Sequence, residues 1–250
     1  MPEGDIIFRI ARTLDRALSG KIVTRFETAL PKLQRASIRG RTIQRVRSVG
    51  KHLIIDFSDG LLLRTHLGMN GSWHLYRSGE RWRRRHEDMR VVIATDDFEA
   101  VGFNIPVAEL NSVPTLGPDL LGESFDSDEA VTRMRVHGSR EIADVLLDQH
   151  VVAGIGNIYK SEVLYACGIN PFTRADALTE DALRRMVRKA RAMLQRSTRS
   201  QVYGRGGQPC RRCGSRIEYR KQGPDVRGTY WCPKCQPLRP NRVPDTITPC

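Results

Sequence analysis

Over the first twenty residues apolar side chains recur every three or four positions: Ile6, Ile7, Ile10, Leu14, Ala17 and Leu18. That spacing predicts an amphipathic helix from Asp5, one face on a core, with Gly20 placed to end it. From Ile22 to Phe103 the pattern changes to short β-rich runs separated by Gly, Asp and Asn, as in a sandwich or barrel. Leu53, Ile55 and Phe57 alternate with His52, Ile54 and Asp56. Ser58-Asp59-Gly60 then turns the chain into Leu61-Leu62-Leu63, and Gly50-Lys51 supplies the preceding turn, so Lys51 is predicted at a hairpin tip. Thr65 to Gly71 reads as a polar, Gly-interrupted loop: an ordinary strand connection or a place where backbone approaches a ligand. Arg81 to His86 is a dense positive run: most simply a solvated loop, or a segment that brushes phosphate.

Residues 111–128, with Pro114, Gly117, Pro118 and Gly122, read as a linker into a helical half. There Ile142, Val145 and Leu146 mark one helix. Tyr159, Val163 and Ala166 mark another that ends at Gly168, with Pro171 beyond. Between them, Val151-Val152-Ala153-Gly154-Ile155-Gly156-Asn157 forms a Gly-containing turn whose following helix starts at Asn157. Such a turn is a packing corner or a set of backbone amides for a phosphate. A further helix is capped by Thr179, with Leu178 and Leu183 as a hydrophobic staple. It buries Leu183, Met186, Val187, Ala190 and Leu194 and crowds arginines on its other faces.

Charge changes this picture. The chain of 250 residues carries a net +13, distributed unevenly: residues 1–129 hold 19 Lys/Arg against 18 Asp/Glu, and residues 130–250 hold 22 against 10. Excess positive charge confined to one half points to a polyanion partner. The hydrophobic share of 40 % and charged share of 28 % are those of a globular chain. With no apolar run of membrane-spanning length and no signal-peptide pattern, the expectation is a soluble intracellular protein.

Cys210-x2-Cys213 and Cys232-x2-Cys235 are separated by 18 residues. Paired CxxC units at this distance make a zinc ribbon, each pair giving two thiolates from a tight turn. With all four positions filled by Cys, one structural Zn2+ is expected and a catalytic zinc disfavoured. The intervening hairpin carries Arg216, Arg220, Lys221 and Arg227, consistent with a finger on nucleic acid.

Met1-Pro2-Glu3-Gly4-Asp5 looks like a frayed terminus, but the helix at Asp5 ties it to a folded body. A Pro at position 2 permits removal of Met1, which leaves a free secondary amine with the Glu3 carboxylate one residue away. An α-amine of pKa about 8 is partly an uncharged nucleophile at neutral pH.

Four separated pieces together resemble the formamidopyrimidine-DNA glycosylase/endonuclease VIII family of base-excision repair. They are Pro2-Glu3 opening a helix, Gly50-Lys51-His52-Leu53 at a hairpin, Gly154-Ile155-Gly156-Asn157-Ile158-Tyr159 between helices, and the four-cysteine ribbon. His66-Leu67-Gly68-Met69, Leu116-Gly117-Pro118-Asp119 and Arg227 to Gln236 belong to the same resemblance, which spans residues 2 to 236. It implies an α+β chain: an N-terminal β-sandwich with a leading helix (1–110), a linker (111–128), a helix-two-turn-helix domain (129–202) and a zinc-finger β-hairpin (203–236). The resemblance further implies damaged DNA bound between the halves. Residues 237–250 are expected to be a disordered tail.

Carried over by position, the resemblance implies Pro2 as nucleophile and Glu3 as proton donor and acceptor at the sugar. Lys51 contacts phosphate and assists chemistry near the extruded base. Asn157 and Arg227 hold the phosphates flanking the flipped nucleotide, His66 contacts a further phosphate, and Met69 fills the gap left in the duplex. The formamidopyrimidine-DNA glycosylase branch has an Asp-Pro-Arg-Arg-Phe wedge; here the comparable stretch reads Thr95-Asp96-Asp97-Phe98-Glu99-Ala100-Val101-Gly102-Phe103-Asn104. That departure, with Pro-Glu-Gly-Asp at the start, resembles the endonuclease VIII branch, whose usual substrates are oxidised pyrimidines. The expectation is thus a bifunctional DNA glycosylase and AP lyase, monomeric, in the bacterial cytoplasm on the nucleoid. The alternative is a non-catalytic DNA-binding or damage-sensing protein on the same scaffold.

Overall fold

The computed structural model describes residues 2–197 and 200–238. Met1 and, from residue 239 onward, the segment expected to be a disordered tail lie outside the described residues. The chain divides into two units, Met1–Pro114 and Thr115–Cys250.

In the first unit α1 (Gly4–Leu18) buries Ile7, Ala11, Leu14 and Leu18. The buried stripe is rotated from the predicted one, leaving Ile6 and Ile10 at its half-exposed edge. Gly20, at φ +78°, makes the left-handed exit a Cβ would strain. Eight strands follow: β1 (Arg25–Thr28), β2 (Ile43–Val49), β3 (His52–Phe57), β4 (Leu62–His66), β5 (Ser72–Arg77), β6 (Met89–Ala94), β7 (Phe98–Phe103) and β8 (Val107–Leu110). They form two four-stranded antiparallel sheets, ordered β1-β6-β7-β5 and β2-β3-β4-β8.

One apolar core is common to both sheets and α1. It takes Ile7 and Leu14 from the helix, Leu53, Ile55 and Phe57 from β3, and Trp73, Ile93 and Ala100 from the other sheet. Each fully buried aliphatic side chain there contributes about 1.5–3 kcal/mol. The Asp15 carboxylate also accepts the Val46 amide at 2.7 Å, binding α1 to β2.

The predicted hairpin between β2 and β3 forms, with Val49 paired to His52. Positive φ falls on Gly50 (+57°) and not on Lys51, as a two-residue II′-class turn requires. Two local readings change. Thr65 and His66 belong to β4, and only residues 67–71 form the loop. The Arg81–His86 segment is not merely solvated, because Trp82 stacks on His86 at 4.3 Å, meets Phe103 edge-on at 5.8 Å and donates its indole N–H to Glu99. Its four arginines stay exposed or half-exposed around that plug.

In the second unit the helices are α2 (Ser127–Val136), α3 (Ile142–Leu147), α4 (Asn157–Cys167) and α5 (Glu180–Arg196). The α2 helix lies in a stretch the apolar pattern left unassigned, since it buries only Ala130, Val131 and Met134. Its cap was readable: Asp126 accepts from the amides of Asp128 and Glu129, with Glu129 three residues on. Thr179 caps α5 as predicted, accepting from Ala182 at 3.2 Å, and Gly168 ends α4 in the left-handed region. The hairpin β9 (Glu218–Gln222) and β10 (Arg227–Trp231) follows, with Arg227 paired to Gln222. Buried Glu162 on α4 accepts the amides of Gln201, Val202 and Tyr203 at 2.8–2.9 Å, fixing the segment after α5 to α4.

Candidate nucleic-acid interface and zinc centre

Glu3 is the N-cap residue of α1 and is only 2 % exposed. Its carbonyl accepts the amides of Ile6 and Ile7, while its carboxylate makes no capping bond to the helix. A carboxylate here is favoured by the positive end of the helix. Pro2 precedes it, half-buried, so the pair sits on ordered backbone and not on a loose end.

Lys51 occupies the tip of the β2–β3 hairpin, against which α1 packs. Beside it the β3–β4 register pairs His52 directly with His66, ring centroids 4.9 Å apart. Burial, then His66 and the Arg64 guanidinium, lower the His52 pKa to about 4. Burial, then Lys51 and Arg64, lower that of His66. Both rings are therefore neutral at pH 7. Arg64 donates to His52 Nδ1 at 3.0 Å, and the Gly68 amide donates to His66 Nδ1 at 3.2 Å. Each ring then carries its proton on Nε2, a tautomer assigned from these bonds. His66 thus offers an N–H donor, the group a phosphate oxygen accepts. Arg64 is itself held by Glu109 on β8. His52, Arg64 and Glu109 were missed in the sequence, since only cross-strand register brings them together.

Met69 is 65 % exposed in the loop between β4 and β5. Gly68 beside it has φ +57°, and a Cβ there would lie 2.8 Å from Pro106. The exposed Pro106, in the turn after β7, therefore packs against the Met69 loop. Phe103 is fully buried and Phe98 packs partly into the core, so neither is free to enter a duplex.

In the second unit Asn157 opens α4 behind the turn at Gly154 (φ +105°). That turn is braced by Gln149, which accepts from the Gly154 amide and donates to the carbonyls of Leu147 and Ile155. Asn157 Oδ1 is buried without a hydrogen-bond partner among the described residues. A flipped amide would put a donor at that position. Arg227 starts β10, side chain 44 % exposed and 3.6 Å from Asp225.

The four cysteine sulfurs lie within 4.8 Å of one another, with Cys210–Cys235 at 3.9 Å and Cys213–Cys232 at 3.4 Å. A tetrahedral site with Zn–S bonds near 2.3 Å places sulfurs about 3.8 Å apart, so the donor set fits. Amides of Arg212 and Cys235 point at Cys210 and Cys232 sulfur, and the Tyr165 hydroxyl is 3.2 Å from Cys210. Such bonds stabilise thiolates bound to a metal. The cluster is a structural zinc site. Cys167 is a half-buried bystander at the helical core, its thiol pKa pushed up by burial to about 11.

Comparison with known proteins follows the same division. Residues 1–104 match the family profile described as formamidopyrimidine-DNA glycosylase N-terminal domain, residues 116–205 that of its H2TH domain, and residues 207–238 that of the zinc finger found in FPG and IleRS. The chain is 38 % identical over 260 residues to a Streptomyces coelicolor protein named "Probable endonuclease 8 2", covering 94 % of each. It is 36 % identical over 258 residues to a DNA-(apurinic or apyrimidinic site) lyase of Mycolicibacterium smegmatis, covering 94 % of this chain and 99 % of that one. Among solved structures, Lactococcus lactis formamidopyrimidine-DNA glycosylase bound to DNA containing an AP site superposes with a TM-score of 0.82 at 26 % identity, covering 95 % of this chain and 100 % of that one. With a sandwich opening on Pro2-Glu3, a helix-two-turn-helix unit and a four-cysteine finger in this order, the chain belongs to the formamidopyrimidine-DNA glycosylase/endonuclease VIII family, and to its endonuclease VIII type.

Proposed function

We propose that this chain removes oxidised bases, pyrimidines foremost, from DNA through a Schiff base on Pro2 and then nicks the strand by β- and δ-elimination. As a member of its family the protein is a DNA glycosylase and AP lyase of DNA repair. The observation that carries the residue assignment is Glu3, a carboxylate buried at the first turn of an ordered helix and directly after a proline.

The Pro2 nitrogen attacks the sugar C1′, and the C1′–base bond breaks with its electron pair leaving on the base, which takes up the Pro2 N–H proton. Glu3 then protonates the ring oxygen as the C1′–O4′ bond breaks and the Pro2 lone pair closes the C1′=N bond. The resulting iminium is permanently positive, so it acidifies C2′: the C2′ proton passes to the Glu3 carboxylate and the electrons of the C2′–H bond expel the 3′ phosphate. A second elimination, with loss of the C4′ proton, expels the 5′ phosphate. The base must leave the stack first, at a cost of a few kcal/mol, least for damaged bases. Lys51, His66, Asn157 and Arg227 are the groups assigned to hold phosphates during extrusion. Met69 is the side chain assigned to the vacated stack, and the packing of Pro106 on its loop supports an apolar tip there in place of the missing wedge arginine. The reading carries with it a monomer acting on damaged DNA of the bacterial nucleoid. No helix among the described residues is long and apolar enough to cross a membrane.

Borohydride tests it. Added to abasic-site duplex and protein lacking Met1, it should reduce the iminium to a stable protein–DNA adduct, and protein retaining Met1 should give none. No adduct from the Met-processed protein would sink the assignment of Pro2.

Arg227 gives a separate prediction. Arg227→Ala should weaken binding to every DNA sequence alike and lower the slope of log affinity against log salt by about one. Fluorescence anisotropy across a salt series measures it, and an unchanged slope would remove Arg227 from the phosphate contacts.

A further inference from the structure

A lysine is buried where the proposed chemistry has no use for one. Lys160, on α4 one turn beyond Asn157, is 1 % exposed. An ammonium withdrawn from water is costly unless its donors are satisfied, and a methionine would fill similar volume without that cost. Lys160 Nζ donates to Thr229 Oγ1 at 2.7 Å and to the Gly228 carbonyl at 3.3 Å, both on β10 and both immediately after Arg227.

The bonds continue with one polarity. Thr229, buried and accepting from the ammonium, donates its hydroxyl proton to Gln222 Oε1 on β9 at 2.8 Å. Gln222 then donates from Nε2 to the Glu141 carboxylate at 2.7 Å and to the Pro171 carbonyl at 3.2 Å. A cation therefore begins the sequence and an anion ends it, and each member's orientation is dictated by the one before. The hairpin tip also rests on α3, since a Cβ on Gly223 would lie 2.3 Å from Asp144 Oδ1.

We propose that Lys160, through Thr229 and Gln222, is a positioning residue that sets the separation of Asn157 and Arg227 and so presents them as a matched pair to the two phosphates of an extruded nucleotide. This rests on the reading of Asn157 and Arg227 as phosphate contacts. Undamaged duplex, which is not extruded, needs no such match. Loss of the ammonium should thus penalise the lesion complex and spare general DNA binding.

The experiment uses the full zinc-loaded chain and measures affinity for duplex containing a tetrahydrofuran abasic analogue and for the same duplex undamaged. Lys160→Met should weaken tetrahydrofuran-site binding about tenfold, in the range for coupled neighbours, and change undamaged binding less than about twofold. In the Arg227→Ala background the same substitution should add almost nothing, because the group it positions is gone. Should Lys160→Met fail to fold, Thr229→Val should reproduce its effect and Thr229→Ser should restore the parent affinity, having kept the hydroxyl. Equal losses on both duplexes, or losses that simply add to that of Arg227→Ala, would overturn the proposal and leave Lys160 a packing residue. If Arg227→Ala itself leaves tetrahydrofuran binding intact, the phosphate reading fails and the positioning role with it. If Arg227→Ala weakens that binding and Lys160→Met and Thr229→Val do not, the positioning role alone fails.

Discussion

Glu3→Gln should lower base excision from thymine-glycol duplex by at least about a hundredfold, the ordinary yield of a positioned proton donor, while DNA affinity stays within about twofold. The substitution keeps the shape of the side chain and the Glu3 carbonyl that starts α1 by accepting from Ile6 and Ile7. What it removes is the titratable oxygen. Since Glu3 is only 2 % exposed, water has little access with which to replace it. Single-turnover excision measures the first quantity and anisotropy the second. A damaged duplex cleaved at the parent rate would withdraw Glu3 from the chemistry, and a matching loss of affinity would make its role structural.

Removing the metal should have an effect of similar size by another route. Chelation, or Cys213→Ser, should unfold the β9–β10 hairpin and weaken DNA binding by about a hundredfold or more, with the first unit still folded. The finger's apolar cluster consists of Tyr165, Val202, Ile217 and the cysteines themselves, with Tyr230 against it. Four of the five residues of β9 are exposed. Such a module has too little buried area to balance its chain entropy, and structural zinc contributes about 10–16 kcal/mol in comparable peptides. Unfolding it would release Arg227 and the partners of Lys160 together. Hydrogen exchange after chelation should show lost protection at 218–231 and retained protection in β3 and β7. Persistent protection of the hairpin in metal-free protein would show that the zinc is dispensable.

Much of the architecture was legible because its signals are local. The CxxC pairs are tied by covalent spacing. The α1, α4 and α5 helices announce themselves by 3.6-residue periodicity with Gly20, Gly168 and Thr179 at their ends, and the Gly50-Lys51 tip by a glycine that leads a two-residue turn between apolar runs. Where local signals were weak the reading slipped. Three buried apolar residues are too few to advertise α2, and the polar Thr65 and His66 concealed the last residues of β4 because the Thr65 hydroxyl is satisfied by Trp73 inside the core.

Sequence alone therefore determined the order of the parts, the metal ligands and, by resemblance, the residues assigned to chemistry. Each depends on residue type and on spacing along the chain. Only the tertiary structure decided the ionisation and use of the polar groups. His52 is neutral because it is buried and because antiparallel register sets it beside His66 and Arg64, residues more than ten positions away. Pro106 reaches the Met69 loop because two turns of the sandwich lie side by side. Lys160, which a helical pattern would assign to solvent, is interior because the finger folds over it and supplies Thr229. Desolvation and partnership are properties of the packed interior, and periodicity along a chain carries no record of them.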